Sequence, residues 1–183
     1  MQNRAAEVSL KNMTSRAQLL IPAALACLLA APPVVASSET QALATHWKTS
    51  KQYTLDIANQ MPAEDYNFKP NPDEMSFGEQ MAHLAQANAY FLSLLSGGKS
   101  PIDKPASYDK ATVLAMLTKS FDYSISAIEH ATPAQLSKSY KTPDGTMTGL
   151  GLIDFAMDHT THHRAQCVVY LRCKGIKPAD YRY

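Results

Sequence analysis

The chain has 183 residues, of which 45% are hydrophobic and 18% are charged, a composition typical of one globular domain with a substantial core. Its formal net charge is +1, and removal of residues 1–36 leaves 14 of the 17 basic and 15 of the 16 acidic residues. Such a balance argues against nucleic acid as a partner, because phosphate binding needs a concentrated positive face. We therefore expect the partner to be a small-molecule substrate.

The first 36 residues have the pattern of a Sec-type signal peptide. Arg4, Lys11 and Arg16 precede an apolar run at residues 19–30, and Ala36 offers a small residue for cleavage before Ser37. The sequence thus predicts a signal peptide at residues 1–36 and an exported domain, periplasmic or secreted, at residues 37–183.

Two alternatives concern the same leader. An uncleaved anchor is disfavoured because the apolar run is short for a bilayer and contains Pro22, so we expect no stable membrane span after cleavage. Lipidation at Cys27 is also disfavoured, because the match to a lipoprotein box is poor three positions before that cysteine.

Two cysteines, Cys167 and Cys173, remain in the mature domain. Six residues of helix separate them by roughly 9 Å, which is too far for a disulfide within an intact helix. Cys167 lies one turn after His163 and could approach a site there, but we expect it to be a small buried core residue.

The first two helices are predicted from apolar residues at helical spacing. A first helix of about twenty residues ends at Met61-Pro62, where proline interrupts the pattern. Ser76 and Glu79 then form a capping box before a second helix that reaches Ser96 and is closed by Gly97.

The second half of the chain predicts two more helices. The third ends near His130, and Thr132 caps one short turn after it. A loop around Asp144 leads into the fourth helix, from about Leu150 to Cys173, and we find no convincing strand. The predicted fold class is all-α, a four-helix bundle after an N-terminal signal peptide, with the order of the helices left open.

The fourth helix carries polar residues where a bundle expects leucine. His159 and His163 are four residues apart, so a helix places both imidazoles on one face, close enough to bind one divalent cation. Buried imidazoles without partners are costly, and a shared metal ion is an efficient partner.

A third ligand from a facing helix would complete such a site. His83 is the best candidate, because it lies at the edge of the apolar face of the second helix. His162 competes with His163, since a spacing of three from His159 also gives neighbouring side chains. His46 is a further rival, whereas His130 is better explained by its place at a helix C-terminus.

Several short motifs are shared with a known family. They are His159-Thr160-Thr161-His162-His163-Arg164-Ala165-Gln166, Tyr170-Leu171-Arg172, Gly175-Ile176-Lys177-Pro178, Met61-Pro62-Ala63-Glu64-Asp65-Tyr66 and Phe68-Lys69-Pro70. Together with the helix that bears His83, these residues make the chain from Glu39 to Tyr183 resemble the DinB/YfiT-like family.

The resemblance implies a four-helix bundle that holds a divalent metal ion with three histidines, here His83, His159 and His163. His162 then falls at a variable position of the family pattern. Arg164 and Gln166 occupy the recurring Arg-x-Gln places, with Ala165 where glycine is common.

A site of three imidazoles with an open position suits zinc first, with nickel, copper, iron or manganese as alternatives. Ligand histidines need their second ring nitrogen oriented, and Glu79, Asp154, Asp158 and Gln166 are close enough along the helices to do this. Each of the three acidic residues also has a simpler explanation, in the capping box or on a solvated helix face.

The preferred functional hypothesis is a metal-dependent enzyme that activates water on a small substrate, a hydrolase-like reaction with no general base assigned. The resemblance also implies a thiol-dependent S-transferase or isomerase, although export makes thiol cofactors scarce. A non-catalytic metal-binding or structural bundle is a further alternative, as is a bundle with incidental histidines. The sequence leaves open whether the domain forms a homodimer.

Overall fold

The computed structural model describes residues 38–182, so the predicted signal peptide at residues 1–36 lies outside the described residues. Five helices, one 3₁₀ turn and two short strands follow one another along the chain. In order they are α1 (Ser38–Gln60), the 3₁₀ turn (Ala63–Asp65), α2 (Phe77–Ser96), α3 (Lys110–Glu129), α4 (Pro133–Ser137), β1 (Ser139–Thr142), β2 (Gly145–Thr148) and α5 (Gly149–Cys173).

The helix ends follow the capping signals in the sequence. Ser76 and Glu79 form the predicted capping box at the start of α2, and Gly97 ends that helix in the left-handed conformation with φ of 74°. Thr132 caps α4 in the same reciprocal way, with Gln135 as its partner. These hydrogen bonds satisfy backbone groups that a helix end otherwise leaves unpaired.

The four long helices form a bundle in which α2 packs against α3 and α5, and α1 packs against the same two helices. The helices α1 and α2 are therefore diagonal neighbours although they follow one another in sequence. This arrangement confirms the predicted all-α four-helix bundle, and none of the helices within residues 38–182 is long and apolar enough to cross a membrane.

Buried hydrogen bonds join the helices in addition to the apolar packing between them. Thr160 of α5 donates a hydrogen bond to Asn88 Oδ1 of α2 over 2.9 Å, and both side chains are fully buried. On the other side of α2, Ser120 of α3 donates to the carbonyl oxygen of Ala85 over 2.6 Å. Because a buried donor or acceptor is costly when unpaired, these bonds favour one alignment of the helices.

The expectation that the chain has no strand was wrong for one short segment. The strands β1 and β2 form an antiparallel hairpin in which Thr142 pairs with Gly145 across Pro143 and Asp144. Each strand has only four residues, and one half-buried residue from each, Tyr140 and Met147, packs against the core. An alternating apolar pattern is too short to detect here, whereas the turn residues were visible and were interpreted as a loop.

The two cysteines of the described domain are both free, as the spacing predicted. Cys167 is fully buried and its thiol approaches the carbonyl oxygen of Phe77, while Cys173 is exposed. Burial raises the pKa of the Cys167 thiol, so it behaves as a core residue.

The start of α2 depends on a glycine. A Cβ atom at Gly78 would lie 2.3 Å from the carbonyl oxygen of Tyr108, whereas at Gly98 the nearest atom would be 3.6 Å away. Gly78→Ala is therefore expected to lower the free energy of unfolding by about 1–3 kcal/mol, since overpacking outweighs the gain of about 0.4–1 kcal/mol from a stiffer unfolded chain. Urea unfolding measures this, with Gly98→Ala as the matched control; equal stability of the two variants would contradict the account.

Candidate metal centre

Three histidines converge where α2 meets α5. His83 lies on α2, and His159 and His163 lie one turn apart on α5. Each offers one ring nitrogen, and these three nitrogens all lie within 4.8 Å of one another. The structure thus brings together the three residues that the sequence selected.

The spacing of the nitrogens fits a metal ion. The Nε2 atoms of His159 and His163 are 3.1 Å apart. Two nitrogens bound to one tetrahedral zinc at about 2.0–2.1 Å lie about 3.3 Å apart. The ring of His83 stands 5.0 Å from that of His159 and 4.6 Å from that of His163, measured between centroids. Three histidines in this arrangement could hold one divalent ion.

The three histidines differ in how deeply their side chains are buried. His83 is exposed, His159 is half-buried, and His163 is buried with 8% of its surface exposed. A ligand can therefore approach from the side of His83 and His159, whereas His163 is held by the protein interior.

Gln80 orients the innermost histidine. Its Oε1 atom lies 2.6 Å from Nδ1 of His163, and its side chain is 2% exposed. The amide Nε2 of Gln80 donates to the hydroxyl of Tyr170 over 3.3 Å, and that hydroxyl donates to the carbonyl oxygen of Met75 over 2.9 Å.

This chain of hydrogen bonds determines where the proton of His163 sits. Because the Tyr170 hydroxyl donates to a carbonyl, it accepts from the Gln80 amide, which turns Oε1 of Gln80 towards His163. Oε1 can only accept, so Nδ1 of His163 carries the hydrogen and Nε2 keeps its lone pair. Nε2 is the nitrogen that faces His159, which is the tautomer that metal binding requires.

The electrostatic environment keeps all three imidazoles neutral. Burial, followed by repulsion from the neighbouring imidazoles, lowers the pKa of His159 to about 4 and that of His163 to about 3. Burial also lowers the pKa of His83. Neutral imidazoles have free lone pairs at pH 7, so the site is ready to bind a cation without first losing protons.

Nδ1 of His159 lacks a hydrogen-bond partner within residues 38–182, although the atom is buried. A buried unpaired nitrogen typically costs about 1–3 kcal/mol; Asn88 Nδ2 and Ser124 Oγ are the other buried side-chain atoms without a partner among the described residues.

The other histidines lie outside the trio. The ring of His162 contacts that of His163 at 5.0 Å between centroids, but its side chain is exposed and it does not belong to the cluster. His46 is exposed on α1. His130 is the C-cap of α3, where its Nδ1 lies 2.8 Å from the carbonyl oxygen of Ser126, as the structural interpretation of that residue predicted.

The residue that orients His163 is none of the four that the sequence suggested. Glu79 accepts from the backbone of Ser76 in the capping box, and Asp154 and Asp158 are exposed. Gln80 contacts His163 instead of these residues or Gln166. Gln80 precedes His83 by three residues, so its helical spacing was the signal that could have identified it.

A cavity of about 510 Å³ adjoins the trio and is lined by both His83 and His159. The rings of Tyr90, Phe91 and Phe155 form its walls. The turn between β1 and β2 contributes Asp144, which is the one acidic side chain that residues 38–182 supply to the lining. His83 and His159 therefore line a cavity that is large enough for a small molecule.

Replacement of Gln80 tests its orienting role. Gln80→Leu removes the acceptor for Nδ1 of His163 and is expected to weaken zinc binding about 10–100-fold, because an unoriented imidazole samples the wrong tautomer. Gln80→Glu retains an acceptor and should retain most of the affinity. Competition with a chromophoric chelator measures the affinity, and Gln166→Leu is the control; an unchanged affinity in Gln80→Leu would refute the orienting role.

The lowered pKa values predict how pH affects the metal-free protein. An unfolded histidine has a pKa of about 6.5, so below that pH the unfolded chain binds protons that the folded site rejects. The contribution to stability is complete above pH 6.5 and is lost as the pH falls towards about 4 for His159 and about 3 for His163. His159→Gln should therefore lose less stability than wild type between pH 7 and pH 4.5 in chelator-treated urea unfolding. Parallel curves for the two proteins would contradict the prediction.

Comparisons with known proteins agree with this architecture. The model of the DinB family matches residues 37–183. YjoA of Bacillus subtilis (strain 168) is 23% identical over 141 residues, which cover 75% of this chain and 92% of YjoA. The crystal structure of YjoA superposes with a TM-score of 0.65 at 20% identity, covering 76% of this chain and 96% of that one. A DinB-like protein from Bacillus cereus ATCC 10987 gives a TM-score of 0.66 at 16% identity, covering 78% and 97%. The two structures share the fold, and the match over residues 37–183 shows that this chain belongs to the DinB family.

Proposed function

We propose that this protein is a metal-dependent enzyme that activates water for attack on a small substrate. The observation that carries the proposal is that His83 and His159 line a cavity of about 510 Å³ while sharing a three-nitrogen cluster with His163. A purely structural site would be closed by a fourth protein ligand, whereas catalytic sites keep a position open. Within residues 38–182 the cluster contains these three residues and no fourth histidine, cysteine or carboxylate.

Zinc is the proposed metal, with nickel, copper and iron as alternatives that imidazole ligands also suit and manganese as a further alternative. Such an ion supplies a Lewis acid that lowers the pKa of water towards neutrality. The protein's own contribution is to keep the ligand nitrogens neutral and oriented. Gln80 holds the lone pair of His163 Nε2 towards the cluster, and burial of His163 excludes water from its inner side.

The cavity lining indicates what kind of substrate fits. Tyr90, Phe91 and Phe155 offer apolar ring surfaces, and Phe91 and Phe155 stand edge to face with centroids 4.8 Å apart. Asp144 gives the lining a negative charge, and none of the described lysines or arginines lines the cavity. We therefore propose a small substrate with an apolar portion that packs against these rings, since the negative charge of Asp144 would be opposed by the positive charge of the bound metal ion.

We also propose that the enzyme acts outside the cytoplasm, which rests on the signal-peptide pattern of residues 1–36. An oxidising compartment supplies few low-molecular-weight thiols. This favours water over a thiol as the nucleophile. No basic surface is implied by the near-neutral composition, so nucleic acid is not proposed as a substrate.

Metal analysis tests the ligand set. Wild type is expected to bind one equivalent of zinc or cobalt, and His159→Ala to lose it, because two imidazoles hold an ion far more weakly than three. His162→Ala is the matched control from the same helix and should bind like wild type. Loss of the metal in His162→Ala but not in His159→Ala would refute the assignment.

The open position and the reaction are tested with the same proteins. The visible spectrum of the cobalt form should change on addition of azide, and zinc-loaded protein should hydrolyse some neutral esters or lactones of a chromogenic panel. Activity should disappear in His159→Ala and persist in His162→Ala. A spectrum indifferent to azide, together with no metal-dependent hydrolysis, would refute the enzymatic proposal and favour a non-catalytic metal-binding bundle. A spectral change only with 2-mercaptoethanol would favour thiol chemistry over water activation.

A further inference from the structure

Arg164 is a buried cation that has no anionic partner within the described part of the chain. Its side chain is 4% exposed, and none of the ion pairs among residues 38–182 includes it. Its Nη1 atom donates to the hydroxyls of Ser50, over 2.7 Å, and Thr54, over 3.2 Å. These partners are neutral oxygens, so they satisfy hydrogen bonds of the guanidinium and leave its charge uncompensated.

A second cavity opens beside this guanidinium. It has a volume of about 260 Å³, lies against α1 and α5, and is lined by both Arg164 and Arg172. Arg172 follows Arg164 by about two turns of α5 and is likewise absent from the ion pairs of the described residues. Among residues 38–182, no acidic side chain lines this cavity.

The remaining walls are suited to a small polar ligand. Tyr53 and Tyr181 form an edge-to-face pair with ring centroids 5.7 Å apart, and the guanidinium of Arg164 lies 4.8 Å above the ring of Tyr53. That contact with Tyr53 positions the arginine without neutralising it. The carboxylate of Asp56, one turn after Tyr53 on α1, is already paired with Arg182 over 2.9 Å.

We propose that this cavity is a binding site for a small phosphate-type oxyanion, either free phosphate or the phosphate group of a small molecule. Two arginines that form no ion pair among the described residues supply the charge. Nη2 of Arg164 also donates to Thr161 Oγ1 over 3.4 Å, so the donors left for an oxyanion are its Nε–H and the second hydrogen of Nη2. The site is separate from the histidine cavity, because none of the residues that line one cavity lines the other.

Binding of inorganic phosphate by the full chain tests the proposal. At low ionic strength, phosphate should raise the melting temperature and give a saturable calorimetric titration, whereas sodium chloride at equal ionic strength should not. Arg172→Gln, at an exposed position, should fold normally and bind phosphate about tenfold more weakly. Lys99→Gln removes the same charge away from the cavity and should bind like wild type.

Two further measurements separate this site from the metal centre and from a purely structural arginine. Phosphate affinity should be the same with and without a chelator and in His159→Ala, so failure of the metal proposal would leave this result intact. Arg164→Lys keeps the charge but loses these guanidinium donors, and it should bind phosphate more weakly while its circular dichroism remains that of a folded bundle. No saturable binding in wild type, or equal binding by wild type and Arg172→Gln, would overturn the proposal.

Discussion

The contact between α2 and α5 determines how far His83 lies from the two histidines of α5, and the candidate site exists only in that alignment. Two buried polar contacts hold it, from Thr160 to Asn88 and from His163 to Gln80. A slip of one helical turn would unpair both of them inside the core. Apolar packing alone tolerates such slips better than buried hydrogen bonds do, so the polar residues specify the alignment that the metal ligands need.

Two faces of α5 lie in different electrostatic environments. His159 and His163 face α2, and the cavity beside them contains the carboxylate of Asp144. Arg164, the next residue, turns towards α1, where the adjoining cavity is lined by cations and tyrosines. The rotation of about 100° per residue along a helix places these neighbours on separate faces. His163 and Arg164 therefore face different surroundings although they are adjacent in the chain.

Much of the framework could be predicted from local rules. Ser76 with Glu79 and Thr132 with Gln135 act within one helical turn, so their capping boxes follow from the sequence. The four-residue spacing of His159 and His163 is equally local. Local spacing could not choose between His83 and His46 as the third ligand, because that choice depends on which helices pack together. The position of His83 at the edge of the apolar face of α2, together with the family resemblance, identified it. The order of the helices around the bundle stayed open in the sequence, because periodicity does not distinguish α1 from α2 as a neighbour of α5.

The features that could not be predicted from the sequence depend on tertiary contacts. Gln80 orients His163 only because Tyr170 and Met75 turn its amide, and those partners are 90 residues and five residues away in the chain. The hairpin that brings Asp144 to the cavity has only one core-packed residue in each strand, too little for a detectable pattern. The buried charge of Arg164 was hidden because arginine in a polar helix segment is usually solvated, and only its burial distinguishes it.

The central claim is that one metal ion binds nitrogen atoms from both α2 and α5. X-ray absorption spectroscopy of the zinc-loaded protein tests it most directly, because multiple scattering counts imidazole ligands. The account predicts three imidazole nitrogens at about 2.0–2.1 Å in wild type, and in His83→Ala the loss of most of the bound zinc, with two imidazoles on the fraction that remains. A first shell with sulfur, or an imidazole count that His83→Ala does not change, would contradict it.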